Sequence, residues 1–68
     1  MGVSIRLNGG ARDVRPGTTI AQLVRELELR TELVAVERNG RIVRRGQRET
    51  TELAPGDEVE IVTLVGGG

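Results

Sequence analysis

The sequence contains no cysteine, no histidine, no lysine and no aromatic residue, and each absence removes a class of function. Without cysteine there can be neither disulfides nor thiolate metal sites, and the lack of histidine leaves only carboxylates for a metal, so no metal site is expected. The usual general bases, acids and nucleophiles are missing apart from Asp, Glu, Ser, Thr and the chain termini, so conventional enzyme activity is not expected. Nucleic-acid binders carry a basic excess or aromatic stacking platforms. Here ten basic and ten acidic residues cancel and the aromatic content is 0%, so nucleic acid is not an expected partner. No apolar run approaches the length of a membrane span, and residue 1 leads into a strand pattern rather than a signal peptide. The expectation is a cytoplasmic protein with no membrane partner. All ten basic residues are arginine, so the chain offers no lysine amine to which a carboxyl end of another copy could be joined.

Sixty-eight residues make one small domain, whose core is marginal because a chain of about 60 residues buries only about 60% of its surface. Residues 3–8 alternate apolar and polar as a half-buried strand does. Asn8, Gly9 and Gly10 then supply the positive φ of a tight hairpin. A second strand over residues 11–15 has only Val14 as a strong apolar residue and reads as an edge. Pro16-Gly17 ends it. Thr19 and Gln22 have capping-box spacing, and Ile20, Leu23, Val24 and Leu27 form one apolar stripe of a helix ending near Leu29 or Arg30. Residues 33–38 read as an interior strand, Asn39-Gly40 as a hairpin turn, and Ile42-Val43 as a short return strand. The stretch from Arg44 to Thr51 is polar and irregular, with Leu53 as the anchor that follows it. Pro55-Gly56-Asp57 turns the chain into a last strand over residues 58–65.

This order predicts an α+β fold, a ubiquitin-like β-grasp with a mixed sheet of four to five strands packed on one main helix. The first and last strands would lie parallel in mid-sheet. The domain would occupy residues 1–65, followed by a flexible glycine tail, residues 66–68. In the last strand Val59, Ile61, Thr63 and Val65 point to one face, suited to lie beneath the helix. Glu58, Glu60, Val62 and Leu64 point to the other. That second set turns from charged to apolar as the glycines approach. Val62, Leu64 and Val65 are therefore candidates for gripping a partner. An arginine cluster, Arg38, Arg41, Arg44, Arg45 and Arg48, could line a phosphate or acidic-partner site. It reads more simply as a solvated hairpin and loop balanced by Glu49, Glu52, Asp57, Glu58 and Glu60, at most a rim that steers association.

The ordered set resembles the ThiS-type sulfur carriers of thiamin biosynthesis along essentially the whole chain. It comprises Leu7-Asn8-Gly9, Pro16-Gly17-Thr18-Thr19-Ile20 with Leu23, Val36-Glu37-Arg38-Asn39-Gly40 with Ile42-Val43, Leu53, Pro55-Gly56-Asp57, and Val59-Glu60-Ile61-Val62 running to Val65-Gly66-Gly67-Gly68. The resemblance implies that the diglycine of the family corresponds to Gly67 and Gly68, with Gly66 one further glycine. It also implies that the Gly68 carboxylate is adenylated by a ThiF-like, E1-type enzyme using ATP, with no cofactor held by the chain itself. Sulfur from a persulfide or cysteine desulfurase would displace AMP, and the thiocarboxylate would pass its sulfur to a ThiG-like thiazole synthase. An α-carboxylate titrates near ~3.5 and is ionised at neutral pH, ready to attack phosphorus. Other acceptors fit the same tail chemistry: a MoaD-like small subunit of molybdopterin synthase, or a carrier for tRNA thiolation. A ubiquitin-like protein modifier and a plain β-grasp interaction module with a loose glycine end are the remaining alternatives. The free chain is expected to be a monomer.

Overall fold

In the computed structural model, which describes residues 2–64, the alternating residues at the start form β1 (Val3–Leu7) and the chain returns as β2 (Gly10–Val14). Asn8 and Gly9 take φ of 51° and 84° between them, the paired left-handed residues of a type I′ turn whose twist matches the strands it joins. Asn39 and Gly40 repeat this geometry, φ 53° and 82°, between β3 (Val34–Arg38) and β4 (Arg41–Ile42). The last strand, β5 (Glu58–Thr63), completes a sheet in the order β2-β1-β5-β3-β4. β5 runs parallel to β1 and antiparallel to β3. This is the expected β-grasp with its first and last strands adjacent in mid-sheet, and β2 lies at an edge as its sparse apolar content predicts.

The helix α1 (Ile20–Glu26) begins with the capping box anticipated from Thr19 and Gln22. Gln22 N–H donates to Thr19 Oγ1 at 3.1 Å, and Thr19 N–H to Gln22 Oε1 at 2.9 Å. Two further N–H groups of the first turn, orphaned in any helix, reach across to the later loop. Ile20 N–H donates to Thr51 O and Ala21 N–H to Arg48 O, each at 3.0 Å. Ile20, Leu23 and Val24 are wholly buried against Ile5, Val36, Val59 and Leu53. At about 2–5 kcal/mol for truncating such a side chain to alanine, this stripe holds the helix to the sheet.

α1 is shorter than its apolar spacing predicts. Leu27 caps it, Glu28 takes φ of +59°, and two reversed bonds close the end. Glu28 N–H donates to Arg25 O at 2.9 Å and Leu29 N–H to Val24 O at 3.1 Å, the pattern of a Schellman motif. Leu29 is thereby turned back to pack on the core, which mimics a longer stripe in the sequence. The left-handed position normally falls to glycine, because a Cβ there costs about 1–2 kcal/mol. Glu28→Gly is therefore expected to raise stability by about 1 kcal/mol, seen as a higher urea midpoint at unchanged slope. A lowered midpoint would mean that Glu28 carries an interaction outweighing its backbone strain.

The other boundaries move by one or two residues. Leu33 belongs to a 3₁₀ turn (Thr31–Leu33) rather than to β3. β2 starts and ends one residue early, and β4 is Arg41–Ile42, with Val43 buried just past it and still donating its N–H to Val36 O at 2.9 Å. A second 3₁₀ turn, Arg45–Gln47, interrupts the polar loop. β5 stops at Thr63, and Thr63 is exposed rather than beneath the helix, Ile61 being the last buried core residue among those described.

Candidate functional site

β5 is held from both sides by the asparagines of the two hairpin turns. β1 turns away after Leu7, so Ile61 would lack a neighbour on that side. The Asn8 carboxamide takes the strand's place, with Oδ1 accepting from Ile61 N–H at 2.9 Å and Nδ2 donating to Ile61 O at 3.2 Å. On the other side Asn39 Oδ1 accepts from Glu58 N–H at 2.9 Å, and Asn39 Nδ2 donates to Asp57 Oδ1 at 3.1 Å. Asp57 is buried and also accepts from Arg38 Nε and Ala54 N–H, both at 2.8 Å. Burial alone would raise the Asp57 carboxyl pKa. The hydrogen bonds from Arg38, Ala54 and Asn39, with the charge of Arg38, outweigh that and hold it below the ordinary carboxylate value.

The far end of β5 is fixed by pairing of Val34 with Thr63 and by a 2.7 Å bond from Leu64 N–H to Leu33 O. Leu64 is thus the last anchored residue among those described. Its side chain is 52% exposed and that of Val62 is 59% exposed, as the alternation predicts. Ala35, opposite Val62 in the register, and Ile42, opposite Glu37, widen the apolar surface on the open face. Glu37 and Glu60 face each other directly across β3 and β5, a like-charge pairing that costs stability. Glu58 beside them meets Arg6 only at 3.8 Å. The open face therefore joins an apolar strip to an acidic one. Val65, Gly66, Gly67 and Gly68 lie outside the described residues.

The arginine cluster does not exist as one surface. Arg38 is committed to Asp57, and Arg48 is buried, with Nη1 donating to Thr31 O and Oγ1 at 2.6 and 2.7 Å and Nη2 to Val34 O at 2.9 Å. Only Arg41, Arg44 and Arg45 remain exposed. The balancing carboxylates are likewise dispersed: Asp57 is a buried structural group, and Glu49 pairs with Arg25 on the helix. Among the described residues no group of side chains is placed to hold a metal, and no helix is long and apolar enough to cross a membrane.

With this geometry in view, the profile of the ThiS family matches residues 5–68. The chain belongs to the ThiS family. Members of that family are sulfur carriers rather than catalysts. The crystal structure of thiamine biosynthesis protein ThiS from Geobacter metallireducens superposes with a TM-score of 0.82 at 29% identity, covering 97% of this chain and 100% of the other. The solution structure of the thiamine biosynthesis protein from the same organism gives 0.78 at 29% identity, covering 97% and 88%. Two longer proteins also contain a related segment. A thiazole synthase of Magnetococcus marinus is 39% identical over 66 residues, and one of Paramagnetospirillum magneticum is 37% identical over 62. The chain spans about a fifth of the length of these relatives (20% and 19%), while 97% and 91% of it is matched.

Proposed function

We propose that this ThiS-family chain carries sulfur for the thiazole step of thiamine biosynthesis as a thiocarboxylate on Gly68. The observation that carries the reading is the family match, which extends over residues 5–68 and so includes the glycines. In the proposed sequence an E1-type, ThiF-like enzyme lets one Gly68 carboxylate oxygen attack the α-phosphorus of ATP, and pyrophosphate leaves. The terminal sulfur of a persulfide then attacks the acyl carbon and AMP leaves, and a thiol cleaves the S–S bond of the resulting acyl disulfide, so that –COS⁻ remains and the donor sulfur ends in a disulfide with that thiol. The acyl adenylate turns a resonance-stabilised carboxylate into a reactive electrophile, so one hard substitution becomes two easier ones. The partner supplies ATP, metal and catalytic groups, and the chain supplies the acyl end and a handle.

A thiazole synthase of the ThiG type is the proposed sulfur acceptor. The two relatives that carry a similar segment within a thiazole synthase support that association. Docking would use Val62 and Leu64, exposed beside the place where the chain leaves the sheet, with Val65 and the leash Gly66-Gly67 beyond them. Four residues past Leu64 extend at most about 13–14 Å, and glycine passes where a Cβ would clash. The chain is proposed to act in the cytoplasm and to bind no cofactor of its own.

The test is intact mass measurement after incubation with ATP, a ThiF-like enzyme and a cysteine-derived persulfide. The expected product is heavier by the difference between one sulfur and one oxygen atom. An unchanged mass, with an enzyme that demonstrably thiolates its own carrier, would overturn the reading. Leu64→Asp is expected to weaken binding to the activating enzyme about tenfold or more, because a charge replaces apolar area at the grip. Unchanged affinity in calorimetry would remove Leu64 from the docking surface.

A further inference from the structure

The outer edge of β3 is covered by β4 along only part of its length. β4 pairs with Glu37 and Arg38, and Val43 N–H adds a bond to Val36 O at 2.9 Å. Strand carbonyls two residues apart point the same way, so Val34 O faces that edge where β4 no longer covers it. Arg48 takes the place of the missing strand. Its Nη2 donates to Val34 O at 2.9 Å, and its Nη1 donates to Thr31 O and Oγ1 at 2.6 and 2.7 Å. The Arg48 backbone is itself fixed, because its carbonyl accepts from Ala21 N–H of α1 at 3.0 Å. Thr31 and Val34 are thus tied toward the helix. Leu33 between them turns its carbonyl the other way, where Leu64 N–H donates to it at 2.7 Å.

An arginine at this place is not the cheapest filling for the fold. Arg48 is only 5% exposed, no carboxylate among the described residues pairs with it, and its Nε is buried without a partner. Replacing buried ionic groups by apolar side chains of similar volume is often neutral for stability or better. What the guanidinium alone supplies is geometry, a rigid planar fork that holds two carbonyls at once. With Gly68 as the thiolated end, the reading on which this role rests, we propose that Arg48 is a positioning residue for that reaction. It keeps Leu33 O in register for Leu64 N–H, and so fixes the point from which the four residues past Leu64 reach the partner's active site. Released from Leu33, the chain would pivot from Thr63 instead, and its reach would vary by about 3.3–3.6 Å. The carboxylate would then occupy the attack position less often.

Two variants test this, Arg48→Met, which keeps an apolar stem and the backbone bond to α1 but removes the donors, and Leu64→Pro, which removes the N–H itself. Thiocarboxylate formation is followed by intact mass with ATP, a persulfide and a ThiF-like enzyme, at a temperature where urea curves show each variant folded. Arg48→Met is expected to lower kcat about tenfold with KM unchanged, since the exposed side chains of Val62 and Leu64 stay in place. Leu64→Pro is expected to lower kcat to a similar extent, and the double variant to be no slower than Leu64→Pro alone, because Arg48 acts through that one bond. In the free protein, Arg48→Met should speed amide exchange at Leu64 about tenfold, while Ile61, held by Asn8 Oδ1 at 2.9 Å, keeps its protection. Equal acceleration at Leu64 and Ile61, or kcat losses that multiply in the double variant, would make Arg48 a general support of the fold and overturn the role. So would wild-type kcat in Leu64→Pro, even with Arg48→Met unfolded. A wild-type chain that gains no sulfur overturns the carrier reading and this role with it, whereas an active wild type with equally active variants overturns the role alone.

Discussion

Asp57→Ala is expected to destabilise the domain by about 3 kcal/mol, the low end of the range for breaking a buried ion pair. Three donors converge on this carboxylate: Arg38 Nε, Ala54 N–H and Asn39 Nδ2. Alanine strands all of them at the start of the central strand. The low end applies because the Arg38 side chain is 32% exposed and can turn toward water, whereas Asp57 at 6% cannot. A domain of this length has roughly 3–10 kcal/mol in all, at about 0.05–0.15 per residue, so the variant loses from about a third to nearly all of its stability. Asp57→Asn keeps an acceptor for Ala54 and should cost less. The pH dependence has a definite sign. The folded carboxyl titrates below its unfolded value, so its contribution is complete above about pH 4, the unfolded range. It is lost as pH falls through the depressed folded value. The urea midpoints of the wild type and Asp57→Asn should therefore converge in acid. A gap that stays constant down to pH 2 would show that Asp57 acts through shape rather than charge.

The turn chemistry was legible because it is local. Asn8-Gly9 and Asn39-Gly40 need only their own φ preferences to make type I′ hairpins, and Thr19 with Gln22 caps a helix whatever surrounds it. The same asparagines also bridge to β5 across 53 and 19 residues. Nothing in their spacing announces that role, which exists only once β1 and β3 flank the last strand. Glu28 hides a helix end because a left-handed position shows itself in sequence as glycine or asparagine, and here a glutamate fills it. In sequence Arg48 and Asp57 look like members of solvated charge runs, since composition counts charges without locating them. Arg48 is buried as its loop folds back to serve the N–H groups of α1, and Asp57 as it gathers donors from Arg38, Asn39 and Ala54. Of the candidate site, the exposure of Val62 and Leu64 came straight from period-two alternation. The opposition of Glu37 and Glu60 required the β3–β5 register, which no single strand contains.

Removing Gly68 is expected to lower the rate of thiocarboxylate formation at least about 100-fold while leaving the fold intact. Stability should be spared because among the described residues none of the buried core lies beyond Ile61, and the last anchoring bond described is Leu64 N–H to Leu33 O. Urea unfolding of the truncated chain should therefore match that of the full chain. The variant is informative because it still ends in a diglycine, Gly66-Gly67. A carboxylate preceded by glycine survives, and only its distance from the anchor changes, by about 3.3–3.6 Å. In an active site where a misplacement of about 1 Å can cost 100-fold, that shift should leave the carboxylate short of the α-phosphorus. Gly68→Ala separates the second requirement, a thin tail, by keeping the length and adding one Cβ. If the truncated chain gains sulfur as fast as the full one, the partner does not measure tail length from Leu64. Gly66-Gly67 would then serve as well as Gly67-Gly68. If the truncated chain fails while Gly68→Ala still gains sulfur and unfolding is unchanged, the third glycine sets the reach, and Leu64, just past the end of β5, is the point from which that reach is counted.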